Sequence, residues 1–101
     1  MAKVRWSEEA SSWLTAIHDY VARDDIDAAD KIILGIYHRA EILETFPRCG
    51  HFYTSSGADE IRILLFGHYR IAYVIDEDDC ANILGVFHGS LDIERFLPKE
   101  G

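Results

Sequence analysis

Arg62, Arg70 and His88, with Tyr69, Tyr73 and His68 close by in sequence, are the residues of this 101-residue chain best suited to handling an oxyanion. An arginine fork bonds a phosphate or carboxylate bidentately, and a histidine titrates near neutrality. The set therefore suits holding an anionic group or moving a proton beside one. His88 fits the second role best, because it ends an apolar run just before Gly89, where a loop exposes it. A general base also needs an orienting partner, and no sequence spacing supplies one. The competing structural account pairs each arginine with one of the 18 acids of the chain and treats the tyrosines as ordinary sheet residues. His18, His38 and His51 read as surface or helix positions.

These side chains sit on strands. Glu60 to Phe66, Tyr69 to Ile75 and Cys80 to His88 are strand-like runs, separated by Gly67-His68 and by the acidic turn Asp76 to Asp79. On the second run Tyr69, Ile71, Tyr73 and Ile75 share one face and Arg70 takes the other. A two-residue loop at Gly67-His68 sets Arg62 opposite Tyr73 on the tyrosine face, whereas a three-residue loop puts Arg62 and Arg70 on one face. The sequence leaves that register open.

Upstream, Val4 and Trp6 at period 2 predict a short strand over Ala2 to Trp6. Ser7 is an N-cap with Glu8 and Glu9 behind it. Ala10, Leu14, Ile17 and Val21, widened by Trp13 and Tyr20, predict a helix from Ser7 to Arg23. Asp27 can cap a second helix, whose stripe of Ala29, Ile32, Ile33, Ile36, Ala40 and Leu43 runs to about Phe46, before Pro47. Pro47 to Asp59 lacks periodicity and reads as a connecting loop. Gly89 and Ser90 precede a short helix over Leu91 to Leu97. The expected architecture is one α+β domain over residues 1–101: an N-terminal strand, a helical hairpin, a three-stranded antiparallel meander and a short C-terminal helix. The helices pack on one sheet face and leave the other free.

Composition narrows the partners. Ten Lys and Arg against 18 Asp and Glu give a net charge of −8, which opposes non-specific attraction to nucleic acid. The cations concentrate in residues 31–75, with five bases and four acids, between strongly acidic flanks. Cys49 and Cys80 have neither zinc-ligand nor disulfide-framework spacing, and no cofactor or metal is expected. No phosphate-cradling glycine loop, G-x-S-x-G elbow or carboxylate metal loop is present. No positively charged start precedes an apolar stretch, and no run approaches the roughly 18 apolar residues a membrane span needs, so the expected location is the cytoplasm.

In VRWSEEASSWLTAIHDYVA, AADKIILGIYHRAEILETFPRCG, EIRILLFGHYRIAYVI and ILGVFHGSLDIERFL the chain resembles the RelE/ParE superfamily of bacterial type II toxins. The order W-S-x-x-A, A-A-D, F-P, Y-R-I-x-Y and H-G covers nearly the whole length and is closer to ParE. The resemblance implies a small α+β toxin neutralised by a cognate antitoxin in a hetero-oligomer. It implies non-catalytic inhibition of DNA gyrase; from their chemistry, Arg62, Tyr69, Arg70, Tyr73 and His88 are the expected partner-binding residues. The alternative it implies is a RelE-like endonuclease that cleaves mRNA on the ribosome with Arg62, Arg70 and His88. Two cations common in related sequences are absent: Ser90, Leu91 and Asp92 follow the H-G pair, and Cys49, Gly50 and His51 follow F-P.

Overall fold

A computed structural model describes residues 3–56 and 59–89. Its elements are β1 (Val4–Trp6), α1 (Glu8–Ala22), α2 (Ile26–Ala40), a 3-10 turn (Glu41–Glu44), β2 (His51–Ser56), β3 (Asp59–Phe66), β4 (Tyr69–Ile75) and β5 (Ala81–His88). The helix expected over Leu91 to Leu97 lies outside the described residues.

Capping sets both helix starts. Ser7 Oγ accepts from the Ala10 N–H at 3.0 Å, as the sequence predicts. The second helix starts earlier than expected: Asp25, not Asp27, is its N-cap and accepts from the Ala28 N–H at 3.1 Å. Asp27 instead falls in the first turn, where its charge meets the helix N-terminus. The helix tightens after Ala40, and the Phe46 N–H still reaches the Ile42 carbonyl at 2.8 Å, so helical winding stops where Pro47 predicts.

The five strands form one sheet in the order β1-β5-β4-β3-β2, antiparallel except for the parallel pair β1 and β5. Strand β2 stands where a loop was expected. Its pairing with β3 slips between Phe52 and Thr54, and this bulge breaks the period-2 pattern that would have marked a strand. Gly67 at φ 57° makes a two-residue turn that pairs Phe66 with Tyr69, which fixes Arg62 opposite Tyr73. A second slip, between Ala72 and Tyr73, bulges β5.

Ala10 and Leu14 of α1 and Ile36 of α2 pack on Leu64, Ile71, Tyr73, Ile75, Ile83 and Val86 in the main core. The opposite face is not free as expected. Ile63, Ala72 and Phe87 are buried in a second cluster against Trp13, Tyr53 and Leu84, and Ile61 is buried as well. His18 Nε2 lies 2.7 Å from Asp30 Oδ1 and ties α1 to α2. Cys49 and Cys80 are free thiols, the first exposed and the second buried.

Candidate functional site

The five candidate residues divide into two groups at different places on the sheet. Arg62 and Tyr73, partners across β3 and β4, together hold the segment that leads into β2. The Tyr73 hydroxyl donates to the Pro47 carbonyl at 2.7 Å and accepts from the Gly50 N–H at 3.0 Å. Burial raises the pKa of this phenol, against a smaller lowering by the Gly50 hydrogen bond. Arg62 Nη1 donates to the Arg48 carbonyl at 3.1 Å and the Gly50 carbonyl at 2.7 Å, while its Nε bonds Glu60. Gly50 has no room for a side chain, since a Cβ there would lie 2.7 Å from Tyr73 Oη and 2.9 Å from the Ile63 carbonyl oxygen. Arg48 completes the network through Asp79 at 3.1 Å and Glu60 at 3.8 Å.

Tyr69, Arg70 and His88 lie at the far end of β4 and β5. Tyr69 pairs with His88, and their rings meet edge to face with centroids 5.6 Å apart. His68, from the turn, stacks on His88 at 6.2 Å. The Gly89 N–H donates to the His68 carbonyl at 2.6 Å, and Arg70 Nη2 donates to the Gly89 carbonyl at 3.4 Å. The turn and the end of β5 are thus latched together, which orients both histidines. Arg70 pairs with Leu65 and Phe87, so by strand parity it takes the sheet face opposite Arg62 and Tyr73.

Two depressions meet at the Tyr69–His88 pair. One, of about 420 Å³, runs between α1 and the sheet and is walled by Trp13, Ile17, Tyr20, Tyr69, Val86 and His88. The other, of about 330 Å³, is bordered by Leu65, His68, Tyr69, Arg70, His88 and Gly89. The structure therefore brings Tyr69, Arg70, His88 and His68 together and sets Arg62 and Tyr73 apart. The α1 wall was not singled out from the sequence as part of a site. Its signal was the width of the apolar stripe, which Trp13 and Tyr20 extend and in which Tyr20 is 71% exposed.

The acidic turn closes its hairpin, as expected. Asp76 Oδ1 accepts from the Asp78 and Cys80 N–H groups at 2.9 and 3.0 Å, and its Oδ2 accepts from Asn82 Nδ2 at 3.1 Å. The Asn82 hydrogen bond, and then that from Cys80, lower its pKa. Among the described residues no group of three His, Cys, Asp or Glu is placed to hold a metal ion, and no helix is long and apolar enough to cross a membrane.

The sequence profile of the ParE toxin of type II toxin-antitoxin system, parDE, matches residues 4–93. The chain belongs to the ParE toxin family. Solved structures place its fold beside other ParE and RelE proteins. The chromosomal ParDE toxin-antitoxin system from P. aeruginosa superposes with a TM-score of 0.70 at 20% identity, covering 87% of this chain and 96% of that one. The RelBE2 toxin-antitoxin complex from Mycobacterium tuberculosis gives 0.62 at 22% identity, over 86% and 96% of the two chains. The archaeal RelE-RelB complex from Pyrococcus horikoshii also gives 0.62, at 16% identity over 88% and 96%. At such identities the likeness establishes the shared fold. A search of curated protein sequences finds no match. Within the ParE toxin family, this chain is a type II toxin built on a five-stranded sheet with a helical hairpin.

Proposed function

We propose that this toxin inhibits DNA gyrase in the cytoplasm without catalysing a reaction, and that a cognate antitoxin neutralises it in a hetero-oligomer. The position of Arg62 carries the non-catalytic reading. Cleavage of RNA needs a base, an acid and cations gathered around one phosphate. Arg62 is instead committed to the Arg48 and Gly50 carbonyls and to Glu60. Its partner Tyr73 is three positions along β4 from Arg70, roughly 10 Å at the usual strand rise, and by strand parity Arg62 takes the other face. A net charge of −8 further favours a protein target over ribosomal RNA. The antitoxin follows from the family and from the similar structures, which are those of toxin-antitoxin assemblies. Arg70, Tyr69 and His88, at one end of the sheet, are the residues assigned to partner contact.

The test is plasmid topology in bacteria expressing the chain without an antitoxin. Plasmid that loses its negative supercoils after induction, while mRNA stays intact, is the expected result. Normally supercoiled plasmid accompanied by mRNA cut in ribosome-bound codons would overturn the reading in favour of the endonuclease.

A further inference from the structure

The helical hairpin carries apolar side chains that the core does not use. In α2 the buried residues are Ala29, Ile36 and Ala40. Ile26, Ile33, Leu34 and Tyr37 instead follow the spacing i, i+7, i+8 and i+11 and lie on a neighbouring side of the same helix. Three of these are open to solvent: Ile26 is 61% exposed, Leu34 63% and Tyr37 41%. Beside them Ser11, Thr15 and His18 of α1 complete a cleft of about 270 Å³, with Ile33 and the buried Leu14 at its base. Two contacts hold its shape. His18 Nε2 meets Asp30 Oδ1 across the helices at 2.7 Å, and the Tyr37 ring packs on Trp6 of β1 with centroids 4.7 Å apart. A cleft formed in advance costs an occupant little reorganisation.

Charge selects among the occupants. From Glu8 to Glu44 the hairpin carries nine acids and three bases. Two of those bases are engaged elsewhere: Arg39 donates to the Leu65 carbonyl at 2.9 Å, and Arg23 lies over the Tyr20 ring. The exposed Asp30 falls within the apolar stripe, the exposed Asp27 precedes Leu34 by two helical turns, and the exposed Asp19 adjoins His18. An acidic border of this kind repels a second copy of the chain, a nucleic acid and an anionic lipid surface. We propose that the cleft seats one basic amphipathic helix of a protein partner, with its aliphatic stripe on Ile33, Leu34 and Tyr37 and its lysines or arginines along Asp19, Asp27 and Asp30. A helix fits because Ile26 to Tyr37 extends roughly 16 Å along the axis of α2, about three turns of a partner helix. A third helix also nests in the groove between two packed ones. The assignment rests on the hairpin alone and is independent of the gyrase reading.

Three synthetic peptides, each about five helical turns long, test it by titration into the ¹⁵N-labelled full chain. The first is an amphipathic helix with a Leu stripe flanked by Lys, the second has the same stripe flanked by Glu, and the third holds the residues of the first in an order that forms no stripe. The expected result is saturable shift changes at Ile26, Ile33, Leu34 and Tyr37 with the first peptide, and affinity lower by about tenfold or more with the other two. Leu34→Ser, at an exposed position that leaves the fold intact, should weaken the first peptide by about tenfold and leave the third unchanged. Asp27→Lys should narrow the preference for Lys flanks over Glu flanks. Equal affinity for the first and third peptides would reduce the effect to net charge, and equal affinity for the first and second would remove charge from it; either result overturns the proposal, as do shifts confined to another surface. Line broadening at the same four residues that grows with the concentration of the chain alone would place a second copy there and overturn it as well.

Discussion

Tyr69 and His88 stand opposite each other across β4 and β5, edge to face at 5.6 Å, and form the wall between two depressions. The pairing follows from the two-residue Gly67-His68 turn, which fixes the β3–β4 register, and from the bulge of β5 between the partners of Ala72 and Tyr73. Local chain geometry thus decides which side chains lie together: Arg62 with Tyr73 and the segment before β2, and Arg70 with His68 and Gly89 at the other end of β4.

Charge reversal at the two arginines should therefore separate stability from binding. Arg62→Glu removes bonds to two loop carbonyls and sets a new carboxylate beside Glu60; the expected loss is about 1–3 kcal/mol in urea unfolding. Arg70→Glu, at the other end of β4, should weaken binding of the antitoxin by about fivefold or more. An Arg62 variant of unchanged stability would show that the clamp contributes nothing.

Tyr73→Phe keeps the ring and deletes the hydroxyl that links Pro47 and Gly50. Leaving those two groups without their partner should cost about 1–3 kcal/mol. The pH dependence has a definite sign. Burial raises the phenol pKa in the fold, so the stabilisation is present below the unfolded value and is lost as pH rises through the folded one. Denaturant midpoints at alkaline pH should fall less steeply in the variant than in the parent.

How far the sequence reveals this molecule varies by element. The helices are legible because one apolar stripe and a capping residue define each of them, and even so the second cap was read two residues late, at Asp27 instead of Asp25. The strands β3 to β5 are legible from alternation and turn residues. Strand β2 is not, because a bulge at Tyr53 interrupts a six-residue element that follows a turn-rich segment and itself ends in Ser55-Ser56. Burial of the second sheet face had a signal in β3, whose Ile61 and Ile63 are apolar on the parity opposite Leu64 and Phe66. The role of Arg62 had none, since it depends on carbonyls of a segment 12 and 14 residues earlier in the chain.

At the acidic turn, Asp76 is held ionised by Asn82 and by backbone N–H groups. A carboxylate whose pKa is lower in the fold stabilises it fully above the unfolded value, and that contribution disappears as pH falls through the folded value. Asp76→Asn should remove this component, so unfolding midpoints measured from neutral to acid pH should decline less steeply than in the parent. Parallel slopes would contradict the assignment.

The most direct measurement of the central claim is supercoiling of relaxed plasmid by purified gyrase, titrated with the purified chain beside a ribosome-programmed mRNA cleavage reaction, each with parent and His88→Ala protein. The account predicts dose-dependent loss of supercoiling, reversed by the antitoxin, with no mRNA cleavage by either protein. Undisturbed supercoiling together with mRNA cleavage that His88→Ala abolishes would contradict it.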